Sequence, residues 1–180
     1  SWVESEKKRS AANKIVAPRI VNFQVPGSGK DWKGGPLHTP EKAREWVAWA
    51  NEKGVEGIKI FNLDPEIMKA AIDESRKRKM GSVAHLAQLM VGRVNAREAA
   101  DMGLHNLTHF YGLFESLYKN EDIQHWPRDL IYNDEQERFS QVAHQWDKIH
   151  PRGSDEWNEL IEFFLEKDFI PSSWNETLFV

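Results

Sequence analysis

The sequence of 180 residues contains no cysteine, so disulfide frameworks, thiolate zinc sites and cysteine nucleophiles are excluded. It has no run near the roughly 18 apolar residues of a membrane span, and its first nine residues lack the apolar core of a signal peptide. Basic charge is not in excess either, since 24 Lys and Arg face 28 Asp and Glu. We therefore expect no membrane or nucleic-acid partner, and any metal must use nitrogen and oxygen ligands.

Short β-rich runs alternate with longer amphipathic runs, and this order predicts an α/β fold built from parallel βα repeats. The predicted strands are 19–25, 55–61, 81–86 and 106–111, followed by a last one over 169–171 and 177–180. Predicted helices begin at Thr39-Pro40 and at Asp64-Pro65, where an N-cap residue precedes proline, and others cover 95–102, 134–148 and 154–167. The less regular part, 113–168, is interpreted as a helical insert or lid within a single 1–180 segment.

The number of predicted strands is smaller than a closed barrel requires. A (β/α)₈ barrel needs eight strands and about 250 residues, whereas four strands and a terminal fifth are predicted here. The chain is therefore either an open doubly wound sheet or an incomplete TIM-barrel segment. In the second case the remaining strands either come from a partner, which is the rest of the barrel or another copy of this chain, or were lost.

Three polar side chains lie near the ends of successive predicted strands, one βα repeat apart: Lys59, His85 and His109. The carboxyl ends of parallel strands meet at one rim of the sheet, and active sites of such folds lie at that rim. We therefore expect these three side chains to converge on one centre.

Lys59 is the most unusual of the three, because it lies between Ile58 and Ile60 in a strand that should be buried on both faces. Burial lowers the pKa of an amine, so Lys59 is a candidate base, Schiff-base nucleophile or carbamate former. The simpler alternative is that its ammonium extends to solvent or pairs with Glu56 or Asp64.

Two imidazoles and one anionic oxygen are the usual ligands of a catalytic zinc that keeps an open position for water. This set favours a hydrolytic metal centre, and a Schiff-base lysine is the competing chemistry. Gln88 and Arg93 follow the His85 strand, where they either contact substrate or are simply exposed, and Arg93 has the geometry to hold a carboxylate. Tyr111 points either into the site or into the core.

Four short stretches resemble the amidohydrolase superfamily, in particular its prolidase-like and imidazolonepropionase-like metal-dependent hydrolases with a carboxylated lysine. They are His38-Thr39-Pro40-Glu41-Lys42-Ala43, Gly54-Val55-Glu56-Gly57-Ile58-Lys59-Ile60, Ala84-His85 and Leu107-Thr108-His109-Phe110-Tyr111-Gly112. The resemblance implies a TIM-barrel segment from about strand 3 to strand 7. It also implies that Lys59 is the carboxylated lysine bridging two metals on strand 4, with His85 and His109 as the histidine ligands of strands 5 and 6.

The implied reaction is attack of metal-activated water on an amide or other C–N bond of a small-molecule amide or peptide-like substrate. The implied cofactors are one or two divalent ions, zinc or another metal, and a carbamate on Lys59. The family's His-x-His pair and strand-8 aspartate match nothing in this chain, so whether it is an enzyme by itself stays open. The alternative is a non-catalytic α/β fragment or module that needs a partner to complete its fold.

Overall fold

Helices and short strands alternate along the chain in the computed structural model, which describes residues 2–87, 91–120 and 126–171. The chain divides into two compact units, Ser1–Val83 and Ala84–Val180, each described by itself below. The elements, in chain order, are α1 (Trp2–Ala11), β1 (Phe23–Gln24), α2 (Pro40–Glu52), β2 (Gly57–Ile60), α3 (Pro65–Lys77), β3 (Gly81–Ala84), α4 (Ala96–Asp101), β4 (Asn106–Leu107), a 3₁₀ turn (Glu115–Leu117), α5 (Glu135–Ala143), α6 (Asp155–Glu166) and β5 (Ile170–Pro171).

In the first unit, two helices pack together and cover short parallel strands. β1 and β2 pair in parallel, and β3 continues from them because the Gly81 N–H donates to the Glu56 carbonyl at 2.9 Å. Helix α2 begins where the Thr39 side chain accepts a hydrogen bond from the Lys42 N–H, and proline fits at its first turn because it has no N–H to satisfy. The inner face of α2 buries Trp46 completely.

In the second unit, β3 ends beside β4, and β4 pairs in parallel with β5. Helix α4 begins with a capping box, in which Asn95 and Glu98 each accept a hydrogen bond from the other's backbone N–H. Helix α6 buries Trp157, Leu160 and Phe164 at helical spacing, and these side chains supply part of the core of this unit.

The predicted fold class is confirmed: among the described residues, five strands in the order β1-β2-β3-β4-β5 alternate with helices in an open α/β sheet with parallel pairing. The strands are shorter than predicted, since β1 covers two residues of 19–25 and β4 covers two residues of 106–111. Helix α1 was not predicted. Asp64 stands at the N-cap of α3, but its side chain makes no capping hydrogen bond there.

The range 113–168 contains the 3₁₀ turn, α5 and α6 among its described residues, and its role as an insert or lid stays a prediction. The predicted run 177–180 lies outside the described residues. Across the described ranges, no helix has both the length and the apolar character needed to cross a bilayer.

Candidate active site at the ends of β3 and β4

The structure places two of the predicted ligands side by side. The imidazole rings of His85 and His109 have centroids 5.0 Å apart and lie nearly perpendicular, at 84°. Their approach follows from the strand ends, because both the backbone N–H and the hydroxyl of Thr108 donate to the Ala84 carbonyl, at 2.9 and 3.0 Å. His85 follows Ala84 directly and His109 follows Thr108 directly, so this doubly bonded pairing brings the two imidazoles together.

The backbone of His109 adopts a left-handed conformation, with φ at 66°. An L-residue with a Cβ pays about 1–2 kcal/mol for this conformation, and such residues cluster at functional sites. The chain turns sharply at this point, since β4 ends at Leu107 and Gly112 also has a positive φ of 91°. The turn leaves the His109 side chain exposed, whereas His85 is half-buried.

The turn after His109 is anchored to the start of α4 through Gly112. The Gly112 N–H donates to Glu115 Oε2 at 2.8 Å, and the Gly112 carbonyl accepts from the Ala96 N–H at 2.9 Å and from the Ser116 hydroxyl at 2.8 Å. A Cβ at Gly112 would lie 2.7 Å from Leu86 Cδ1 and 3.0 Å from the Ala96 nitrogen. Only glycine therefore fits here, and the close approach holds the turn in one position.

Glu115 is a buried carboxyl that the sequence reasoning missed. Its side chain is 6% exposed, and burial raises its pKa to about 7, against the lowering effect of hydrogen bonds from the Glu115 and Gly112 backbone. The available signal was its position directly after the apolar residues Leu113 and Phe114, because a charged residue in such a run is rarely buried unless it is paired. Its protonation therefore changes near neutral pH, next to the glycine that anchors the turn.

Tyr111 lies beside the two imidazoles, and its contact with substrate stays a prediction. It is 2% exposed, so it belongs to the core of its unit. Its ring also lies against the imidazoles, with centroid distances of 5.4 Å to His85 and 6.3 Å to His109. The ring of Phe139 from α5 is stacked with Tyr111 at 6.2 Å. Tyr111 thus forms an aromatic link between the two imidazoles and α5.

Lys59 lies in the first unit, in β2 between the fully buried side chains of Ile58 and Ile60. It is half-buried, and burial lowers the pKa of its amine, as the sequence predicts. Its Nζ lies 5.4 Å from the centroid of the Phe61 ring. Glu56, one of the carboxylates considered as its partner, binds the Lys7 ammonium at 2.7 Å.

Of the predicted substrate contacts other than Tyr111, Arg93 is exposed and Gln88 lies outside the described residues. Within residues 2–87, 91–120 and 126–171, no three His, Asp or Glu side chains gather closely enough to hold a metal ion. The centroid separation of 5.0 Å matches the value of about 5 Å for two rings on one tetrahedral zinc at Zn–N distances of about 2.0–2.1 Å, and it is also an ordinary separation for an edge-to-face aromatic pair. The roles of His85, His109 and Lys59 as ligands stay predictions.

No known protein family and no curated protein matches the chain by sequence. Among solved structures, the chain is similar to bottromycin amidohydrolase, with a TM-score of 0.52 and 16% identity over 81% of this chain and 30% of that chain. It also matches a Xaa-Pro dipeptidase with methionine bound in its active site, with a TM-score of 0.45, and a further amidohydrolase, with a TM-score of 0.43. Each of these two matches has 16% identity over 59% of this chain and 34% of that chain.

At this identity, the similarity to bottromycin amidohydrolase shows a shared fold and nothing more. The chain spans about a third of the length of these solved structures. The resemblance to amidohydrolases that the sequence indicates is therefore confirmed at the level of the fold.

Proposed function

We propose that this chain supplies part of the site of an amidohydrolase-like, metal-dependent hydrolase that cleaves an amide or other C–N bond. His85 and His109 would be nitrogen ligands of a divalent cation, zinc or another metal. Lys59, as a carbamate, would be an oxygen ligand of one or two such ions. The observation that carries the proposal is the pairing of the two imidazoles, 5.0 Å apart at the ends of β3 and β4.

The strained backbone of His109 supports a functional role for that side chain. A left-handed histidine is retained at a cost, and Asn or Gly would occupy the same turn with less strain. The turn is nevertheless held rigidly by Gly112 and Glu115. A rigid, strained turn that presents an exposed imidazole beside a second imidazole is typical of a preorganised ligand pair.

The chemistry of Lys59 fits the carbamate because carbamate formation requires a neutral amine. The Nζ lone pair attacks the carbon of carbon dioxide, an N–C bond forms, and one proton passes to solvent. Burial favours this step because it lowers the pKa of the Lys59 amine and thus raises the neutral fraction at a given pH. A bound divalent cation would supply activation of a water molecule toward the substrate.

Cation binding by the full chain tests the proposal directly. We expect cobalt(II), used as a spectroscopic substitute for zinc, to bind the chain and to show imidazole ligation in its visible spectrum. His85→Ala and His109→Ala should each weaken binding more than about tenfold, because each removes one donor. His144→Ala is the matched control, since His144 is exposed at the end of α5 in the same unit. Equal affinity for all four proteins would contradict the proposal.

The second candidate, a non-catalytic fragment or module that folds with a partner, is favoured by a separate observation. Three alternate side chains along β1 and its flanks are exposed, Val21 at 59%, Phe23 at 40% and Val25 at 40%. β1 is also the first strand in the sheet order, and an exposed apolar edge is a site for pairing with further chain. The missing strands would come from the rest of a barrel or from a second copy.

The cobalt titration and an amide-hydrolysis assay on the same sample separate the two candidates. Tight imidazole-dependent metal binding without turnover would indicate a fragment that holds part of a metal site. Absence of binding under metal-replete conditions would favour the non-catalytic module. Metal-dependent turnover of a small amide, lost in His109→Ala and kept in His144→Ala, would support the hydrolase.

A further inference from the structure

The hydroxyl of Thr108 makes a contact that the pairing of β3 with β4 does not require. The backbone N–H of Thr108 donates to the Ala84 carbonyl at 2.9 Å, and its hydroxyl donates to the same oxygen at 3.0 Å. One hydrogen bond leaves two segments free to rotate about it, whereas two donors of one residue on a shared acceptor fix the direction of approach. The hydroxyl therefore restrains the angle between the two strand ends as well as their separation.

This contact lies on the shortest backbone path between the two imidazole-bearing residues. The Ala84 carbonyl belongs to the same planar peptide group as the His85 N–H, and the Thr108 carbonyl belongs to the same peptide group as the His109 N–H. The path from His85 to His109 thus runs through one peptide plane, the two Thr108 hydrogen bonds and a second peptide plane. A rotation at Thr108 would therefore move one imidazole relative to the other.

His109 needs this restraint because its backbone is left-handed, with φ at 66°. A residue with a Cβ is more stable in the extended or right-handed region, and a rotation into either would redirect its exposed side chain. The far end of the turn is fixed at Gly112, whose N–H donates to Glu115 and whose carbonyl accepts from the Ala96 N–H. The near end is Thr108, so the conformation of His109 depends on how firmly Thr108 is held.

From this geometry we infer that Thr108 is a positioning residue, whose hydroxyl orients His109 against His85 for joint binding of a divalent cation. This inference rests on the proposed function and extends it to how the ligand pair is held. Thr108 acts through the backbone and not as a ligand, because its hydroxyl proton is directed at the Ala84 carbonyl.

Thr108→Val removes the hydroxyl and little else, since valine keeps the β-branched shape and the backbone N–H that also donates to Ala84. We expect the affinity of the full chain for cobalt(II) to fall about fivefold to tenfold, the loss that corresponds to one hydrogen bond. Thr108→Ser retains a hydroxyl and should bind cobalt within about twofold of the wild type. Thr108→Ala removes the same hydroxyl and replaces the valine variant if circular dichroism shows that the latter is unfolded.

Thr39→Val separates positioning from a general loss of stability. Thr39 caps α2 in the first unit, where its side chain accepts from the Lys42 N–H at 3.2 Å, so valine removes one hydroxyl hydrogen bond there as well. This control should unfold at a lower urea concentration, because a helix cap is lost, and its cobalt affinity should equal that of the wild type. An equal loss of cobalt affinity in Thr39→Val and Thr108→Val would overturn the inference.

NMR of the metal-free chain distinguishes failure of this inference from failure of the metal site. At a fixed pH, nuclear Overhauser contacts between the ring protons of His85 and His109 report their approach, and each signal is assigned by its loss in the corresponding alanine variant. We expect these contacts in the wild type, Thr39→Val and Thr108→Ser, and weaker or absent contacts in Thr108→Val.

Unchanged ring contacts and unchanged cobalt affinity in Thr108→Val would overturn the inference and leave the metal site in place. Ring contacts that are lost only in Thr108→Val, in a set of proteins that all fail to bind cobalt, would support positioning by Thr108 and refute the proposed metal site.

Discussion

The raised pKa of Glu115 should make the stability of this protein decrease as the pH rises toward neutrality. The carboxyl is 6% exposed, and burial raises its pKa from 4.5 to about 7. Below pH 4.5 it is protonated in both the folded and the unfolded chain. Between pH 4.5 and 7 the folded chain holds a proton that the unfolded chain has lost, so the free energy of unfolding falls as the pH rises.

The size of this effect follows from the shift in pKa. Each pKa unit corresponds to about 1.4 kcal/mol, so a shift of this size removes about 3 kcal/mol of stability by pH 8. Glu115→Gln removes the titration while keeping a side-chain oxygen to accept the Gly112 N–H. We therefore expect this variant to be more stable than the wild type at pH 8, by up to about 3 kcal/mol, and similar to it at pH 4.

Urea unfolding from pH 4 to pH 8, followed by circular dichroism, measures the difference. Glu159→Gln is the matched control, because Glu159 is an exposed glutamate on α6 of the same unit. The difference between Glu115→Gln and wild type should grow across the interval from pH 4.5 to 7, whereas Glu159→Gln should follow the wild type. A constant difference across this interval, or a Glu115→Gln protein that is less stable at pH 8, would refute the reasoning.

Three other substitutions test the turn and the lysine. Gly112→Ala should lower the free energy of unfolding in urea by about 2–4 kcal/mol, because the new Cβ clashes with its neighbours and the backbone is left-handed. Gly153→Ala is the control and should cost about 1 kcal/mol, since its φ is 82° but nothing lies within 4 Å of the new Cβ. His109→Asn should leave the free energy of unfolding unchanged or raise it by up to about 1 kcal/mol, because Asn tolerates the left-handed region. Its affinity for cobalt should fall. A large loss of stability would contradict this prediction. In the ¹³C NMR spectrum with ¹³C-bicarbonate, the wild type and the control Lys69→Ala should show a carbamate signal that Lys59→Ala lacks. The signal should appear at lower pH than for solvated lysines, because burial lowers the pKa of Lys59. A signal that persists in Lys59→Ala would count against the carbamate.

The pairing of His85 and His109 could be predicted because it depends on a repeat. Each βα unit brings its strand to the same rim, so two histidines one repeat apart at strand ends become neighbours whatever the details of the helices between them. The helix starts were also predictable, since Thr39 and Ser154 both cap their helices with side-chain oxygens as their sequence context indicates. These are local or periodic signals.

The left-handed backbone of His109 was not predicted, because histidine, although enriched at positive φ among residues with a Cβ, adopts it too rarely for the residue type to assign it at one position. The strand ends were also overestimated: the apolar run after β4 continues to Tyr111, but the chain turns after Leu107. Phe110 and Tyr111 lie in a turn and not in a strand, and their apolar side chains pack against Phe139 of α5. Hydrophobicity indicates burial, and burial alone does not distinguish a strand from a packed turn.

An apolar pocket in the second unit, lined by Phe110, Phe114, Phe139 and Trp146 among others, illustrates why a pocket is harder to read from sequence than the pair of histidines. Its walls come from two segments, 110–114 and 139–146, that no repeat relates and that meet only through tertiary packing. The approach of His85 and His109 follows from a βα repeat and is therefore legible in the sequence. The pocket forms only where two unrelated segments pack together, and apolar residues in each segment indicate burial without indicating which partner they meet.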